Sequence, residues 1–444
     1  MIHWWLYISK DDLQSERLQC TQEGKELTPI EKEFRRVDAL DLTNPANQPA
    51  AQVLLDLTIA LPTRAGYSYD EPSTLREIRE ARPKKRGTIT HLPKGKLFDK
   101  LYGAWQGRIS GCLLGKPVER WMSPRLWGYL RDTGQYPLRD YIGIDAPEAT
   151  LKRYEVDPKG CFKENVDHMS EDDDTNYTTI SLAVMKRYGR GFTPQDVADL
   201  WLQEMPILHT FTAERVAYRN LCLLIPPPAS ASHRNVHREW IGAQIRADFW
   251  GYSNPGNPEL AAEYAWRDAS VSHVKNGIYG EMWAAAMMAT AFTTDDVDAI
   301  IDAGLAQVPA KCRLAAEVGE MIKWRKEGIS YDDALKRIHS IWDENRMHDW
   351  CHTISNARIV TLALLWGGGD FGDSIAKAVQ SGFDTDCNGA TVGSIMGIIH
   401  GASKIPGKWK EIFKDTLETG VSDFHRVSVS EMAKETMHLA EAKP

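Results

Sequence analysis

The sequence predicts an all-α fold, a compact multi-helix bundle. Three observations predict it: capping signatures that open apolar runs of helical period, the scarcity of alternating strands, and two glycine repeats of period four. In chain order, the first apolar set includes Val53, Leu54, Leu57 and Leu61 and predicts a small helical N-terminal unit over residues 1–90. The run Arg82-Pro83-Lys84-Lys85-Arg86, followed by Pro93 and Gly95, reads as an exposed linker; no aromatic residues interleave with its charges as they would in a nucleic-acid patch. A larger domain is expected over residues 97–425.

Within that domain, Gly103, Gly107, Gly111 and Gly115 recur every four residues, and so do Gly389, Gly393, Gly397 and Gly401. Glycine inside a helix costs about 1 kcal/mol relative to alanine, so each stripe needs an offsetting gain. Every fourth residue lies nearly on one helix face, and a stripe without side chains forms a groove for a neighbouring helix. The two stripes are therefore expected at tight contacts, either with each other at the centre of the fold or with separate partners. Between them, Thr193-Pro194-Gln195-Asp196 reads as an N-cap, a first-turn proline and an acid at N3, leading into Val197, Leu200 and Trp201. Thr294-Asp295-Asp296 does the same for Val297, Ile300, Ile301 and Leu305, and Ser330 for Tyr331, Leu335, Ile338 and Trp342.

Composition narrows the function. The chain has 444 residues, 43% hydrophobic and 26% charged, with a net charge of −8, which argues against nucleic acid as an obligatory partner. Its seven cysteines contain no CxxC pair and read as reduced thiols. No run approaches the roughly 20 apolar residues of a membrane span, and no basic residue precedes the short apolar start Met1 to Leu6. A cytoplasmic location without membrane association is expected; the oligomeric state is not legible.

Two acid clusters carry the chemistry: Glu171-Asp172-Asp173-Asp174-Thr175-Asn176 and Asp384-Thr385-Asp386-Cys387-Asn388. Either alone reads equally as a solvated helix cap. Each, however, precedes an apolar, small-residue-rich segment, Tyr177 to Met185 and Gly389 to His400, so each opens a buried helix whose dipole favours carboxylates. Closely held carboxylates cannot all ionise at neutral pH unless some are protonated or a cation sits among them. Oxygen-rich surroundings select Mg2+, Mn2+ or Ca2+, and a pair of divalent ions nearly balances the five aspartates.

The run from Tyr102 to Glu119, YGAWQGRISGCLLGKPVE, then DDDT at 172–175 and GFDTDCNGATVG at 382–393 resemble, in order, the signature segments of the ADP-ribosylglycohydrolase family. The resemblance covers roughly residues 97 to 402 and leaves residues 1 to 90 outside. It implies an all-α fold, a binuclear Mg2+ site with Mn2+ as the alternative, and hydrolysis of the C1 glycosidic bond of an ADP-ribosyl adduct, protein or small molecule, releasing ADP-ribose. The implied metal ligands are Asp172, Asp173, Asp174, Asp384, Asp386 and position 387. Two departures stand out: Asp172 replaces a hydroxyl residue, and Cys387 replaces a threonine.

The resemblance further implies Glu119 as the acid or base near the scissile bond, with Asp173 and Asp384 beside it. Gly242, Gln244 and Arg246 would wrap the diphosphate, while His273 and Asn388 would contact substrate. Tyr279 and Trp283 read as core residues or adenine stackers; Trp350, His352 and Asn356 have no role legible in sequence. A riboside hydrolase is the competing enzyme reading, since Asp384-Thr385-Asp386 is shared with that chemistry. A silent ADP-ribose binder is the competing reading of another class.

Overall fold

A computed structural model describes residues 7–84, 92 and 95–442. Met1 to Leu6 and most of the expected linker, Lys85 and Arg86 included, lie outside the described residues. Among the described residues the chain is α-helical, joined by short 3-10 turns, with one two-stranded antiparallel sheet pairing Thr416–Glu418 with Arg426–Ser428. The all-α class holds. No described helix is long and apolar enough to cross a membrane.

The capping signatures work as local chemistry dictates. Thr193 and Asp196 form a reciprocal box at the start of Pro194–Glu204: Thr193 N donates to Asp196 Oδ2 at 2.7 Å, and Asp196 N to Thr193 Oγ1 at 3.3 Å. Val197, Leu200 and Trp201 are buried from that helix. Ser330 caps Tyr331–Ile341 by accepting from Asp333 N at 3.1 Å. In the remaining case Asp296 itself is the cap of Val297–Leu305, accepting from Ala299 N at 3.2 Å, and Thr294 Oγ1 accepts from Asp296 N at 3.1 Å.

The glycine stripes meet each other. Helices Leu97–Gly115 and Thr385–His400 lie face to face, and a Cβ added at Gly103, Gly107 or Gly111 would run into the carbonyl oxygens of Gly397, Gly393 or Gly389. Backbone-to-backbone packing is the gain that offsets glycine's poor helix propensity. Gly401 has a different job, ending its helix at φ 73°, where glycine is favoured. Gly115 abuts the backbone of Thr385 and Asp386, and Thr385 Oγ1 donates to the Gly115 carbonyl at 2.9 Å. The turn Lys116–Val118 follows and ends in Glu119. The stripe thereby fixes where Glu119 stands relative to the second acid motif.

Helices Lys10–Gln22, Glu31–Asp38 and Gln48–Ala60 share a small core that includes Leu13, Phe34, Val37, Leu54 and Leu55 and is closed by Val236. Of the apolar set read from the sequence here, Val53 and Leu57 are exposed; the inward face runs through Ala51, Leu54, Leu55 and Thr58. Buried ion pairs tie this unit to the rest: Arg238 to Glu16 at 2.6 Å and Glu23 at 2.9 Å, and Arg313 to Glu71 at 2.9 Å. At the other end the larger unit continues past residue 425. Helix Val429–Glu441 packs on the first glycine helix, where Trp105 Nε1 donates to Thr436 Oγ1 at 3.0 Å.

A candidate metal centre in an acidic cleft

Each acid motif is set by the first turn of a buried helix. Asp172 caps Asp173–Tyr188 with extended backbone, its Oδ1 accepting from Asp174 N at 3.0 Å. Asp384 precedes Thr385–His400 and follows Phe383, held at φ 56°. A bulky residue there is strained and persists only where the surroundings impose it. Asn356 supplies part of that constraint. Its Oδ1 accepts from Asp384 N at 3.3 Å and Asn388 Nδ2 at 2.8 Å, while its Nδ2 donates to the carbonyls of Trp350 at 2.9 Å and His352 at 3.0 Å.

The two motifs converge. Side-chain donor atoms of Cys112, Asp172, Asp174 and Asp386 lie within 4.8 Å of one another, as do those of Asp384, Asp386 and Cys387. Asp386 belongs to both groups. Lys116 Nζ reaches Asp172 Oδ2 at 2.6 Å and the Glu171 carbonyl at 2.6 Å. Arg108, fully buried, donates to the Asp174 carbonyl at 2.7 Å and to Asp174 Oδ1 at 2.9 Å, and pairs with Asp248 at 2.8 Å. Asp174 is thus pinned from behind and lines no part of the cleft, whereas Asp173 faces the cleft and belongs to neither donor group.

Crowding sets the protonation. The charge of Asp386, then burial, then Asp172 and Asp173 push the Glu119 carboxyl up to about 9. Burial, then Asp172, raises Asp386 to about 6. Burial first and neighbouring carboxylates next hold Asp173 and Asp384 well above the usual range; Asp174 is raised likewise by burial, with Arg108 opposing. Burial also raises the thiols of Cys112 and Cys387. Lys116 is held charged against burial chiefly by Asp172. The residues fit a divalent cation: Asp386 Oδ1 is buried with no hydrogen-bond partner, and carboxylate oxygens outnumber sulfur.

The cleft above this floor has a volume of about 450 Å³. Glu119, Asp172, Asp173, Asp384, Asp386 and Cys387 line it together with Lys116, Gly242, Trp350 and, at the outer rim, Leu208 and Phe211. Other residues expected at substrate lie elsewhere. Arg246 is buried, its guanidinium taken up by Glu214 at 2.5 Å, Asp268 at 2.7 Å and Ser272 Oγ at 3.0 Å, so it is not free to grip a phosphate. Gln244 accepts from Thr353 Oγ1 at 3.1 Å inside the core. His273 pairs through Nδ1 with Ser272 Oγ at 2.8 Å, and its buried ring is held neutral, foremost by desolvation. Asn388 braces Asn356. Tyr279 donates to the Pro72 carbonyl, and Trp283 is core.

Arg108, Cys112 and Lys116 escaped the sequence reading, yet their spacing of four carried a signal. Arg108 and Cys112 lie one turn apart on the first glycine helix and Lys116 caps its end, and a cation inside such a buried helix implies a buried anionic partner.

A family model described as ADP-ribosylglycohydrolase matches residues 93–442. A solved structure titled "ADP-ribosylglycohydrolase-related protein complex" superposes with a TM-score of 0.49 at 19% identity, covering 78% of this chain and 98% of that chain. None of the curated proteins compared matches.

Proposed function

The chain belongs to the ADP-ribosylglycohydrolase family, and from that premise we propose that it is a metal-dependent hydrolase of the C1 glycosidic bond in ADP-ribosyl adducts, acting on a modified protein or a small adduct. One observation carries this reading: two acid motifs distant in sequence converge beneath a cleft that also presents Glu119. Asp172, Asp384 and Asp386 would hold two divalent cations, Mg2+ or Mn2+, with Asp173, Asp174 and Cys387 adjoining; when bound, they would supply Lewis-acid polarisation of substrate oxygens.

The chain's own groups do the rest. Glu119, facing the cleft with its carboxyl raised by the acids around it and by burial, would give its proton to the leaving atom as the C1 bond breaks with its electron pair. It recovers a proton from the water whose oxygen joins C1, so one water is consumed and ADP-ribose and the free acceptor are released. Asn356 keeps the Asp384 turn in place through these steps. Lys116 neutralises part of the acid cluster and orients Asp172.

The test is release of ADP-ribose from defined ADP-ribosylated peptides and from nucleosides, with and without Mg2+ or Mn2+, using Glu119→Gln and Asp384→Asn as controls. Release only with metal and only by the unaltered chain supports the proposal. Ribose release from nucleosides points to the riboside hydrolase, and binding without release to a silent reader.

A further inference from the structure

Residues 8–84 precede the family match and contribute nothing to the cleft lining, yet Glu16, Gln22 and Glu23 bond Arg238 and His348, which flank that lining in sequence. One wall of the cleft consists of two segments bonded to each other. Ile241 N donates to the Cys351 carbonyl at 2.8 Å, and Ile241, Gly242, Trp350 and Cys351 face the cleft. Behind the first segment lies Arg238, 2% exposed, its guanidinium gripped by Glu16 and Glu23. A buried cation released from such partners is strongly unfavourable, so this segment goes where the two carboxylates go. Behind the second lies His348, 1% exposed. The Trp240 indole, which can only donate, bonds His348 Nδ1 at 3.1 Å; His348 Nε2 therefore carries the proton and donates it to Gln22 Oε1 at 3.1 Å. From the carbonyls of Trp350 and His352, Asn356 carries the connection to the Asp384 amide.

On the reading of the site given above, we propose that helix Lys10–Gln22 with Glu23 is a positioning element of the active site: through Arg238 and His348 it fixes the 238–242 and 347–352 wall and, beyond it, the Asp384 turn. A second brace runs in parallel. Glu71 holds Arg313, Arg313 holds Glu239 at 2.6 Å, and the Glu239 carbonyl accepts from Thr353 N at 3.1 Å. The N-terminal unit then belongs to the binding apparatus and is not an appendage of it. Coupling of this kind is reciprocal, so occupancy of the cleft must also be felt at the helix.

The test uses the full chain and two readouts. Hydrogen–deuterium exchange is followed with and without Mn2+ plus ADP-ribose, and ADP-ribose affinity is compared among the unaltered chain, Gln22→Ala and Gln22→Glu. Gln22→Ala removes the acceptor of His348 and leaves the backbone carbonyl that receives the Tyr67 hydroxyl. The proposal expects slower exchange in residues 10–23 as well as 347–352 on ligand binding. It also expects affinity weakened about tenfold in Gln22→Ala at unchanged melting temperature, and restoration by Gln22→Glu, which keeps the acceptor oxygen. Protection confined to the cleft, unaltered affinity in Gln22→Ala, or an affinity loss that tracks a lower melting temperature overturns it. Failure of the unaltered chain to bind either Mn2+ or ADP-ribose counts first against the proposed function and removes this inference with it.

Discussion

At the residue scale, position within the cluster separates chemistry from scaffolding. Glu119 faces the cleft, and its anionic neighbours raise its carboxyl in the metal-free chain. Glu119→Gln is predicted to lower ADP-ribose release by about 10²–10⁴-fold, the usual share of a general acid, while Mn2+ binding measured by calorimetry persists. Arg246 makes the opposite prediction. Because Glu214, Asp268 and Ser272 occupy its guanidinium, Arg246→Ala strands buried carboxylates and is expected to cost about 3–5 kcal/mol in chemical denaturation. If the variant instead stays as stable as the parent and loses only ADP-ribose affinity, Arg246 is a substrate ligand. In sequence the two residues looked alike, each a charged group beside a family motif; what divides them is whether the surrounding fold supplies counter-ions, which spacing along the chain does not reveal.

At the element scale, the glycine helices are the device that builds the site. The repeat was legible, and so was its need for close packing, but the choice between mutual contact and separate partners was not, since either satisfies the propensity argument. The structure places Gly111 against the Gly389 carbonyl, so Gly111→Ala overpacks the crossing. A loss of about 1–3 kcal/mol is predicted, read as a lower melting temperature. Gly319 is the control: it lies mid-helix in Arg313–Lys326 with nothing near its added Cβ. Gly319→Ala is expected to raise stability by about 0.5–1 kcal/mol through helix propensity alone. Equal effects at both positions contradict the packing account. The capping boxes were readable because they are local; Asn356 was not, since its partners at Asp384 and Asn388 are brought to it only by tertiary folding.

At the scale of the whole molecule, the cluster makes stability depend jointly on pH and metal. Glu119 and Asp386 bind protons in the folded state up to about 9 and about 6, above their unfolded values. Between the unfolded and folded values the native state holds more protons than the unfolded one, so metal-free stability falls as pH rises from about 4 towards 9. On the proposed function, divalent cations held among the acids would displace the proton of Asp386, a ligand carboxylate, and leave that of Glu119 in place. Thermal scans are therefore predicted to show Mg2+ or Mn2+ stabilisation that grows with pH from about 4 to about 6, where Asp386 loses its proton in the metal-free chain, and a stabilisation independent of pH contradicts the protonation scheme. The fold class and the acid motifs could be read from local pattern. The seat of the N-terminal unit could not, because Glu16, Glu23 and Arg238 are far apart in sequence and meet only in the folded chain.

On the proposed function, both acid motifs hold the same divalent cations. Anomalous diffraction from crystals soaked in Mn2+ tests it most directly. Manganese peaks are expected between the 172–174 and 384–386 carboxylates, with Asp386 contacting both ions and one peak weakened in Asp386→Asn. Peaks absent from this floor, or ligated by one motif alone, contradict it.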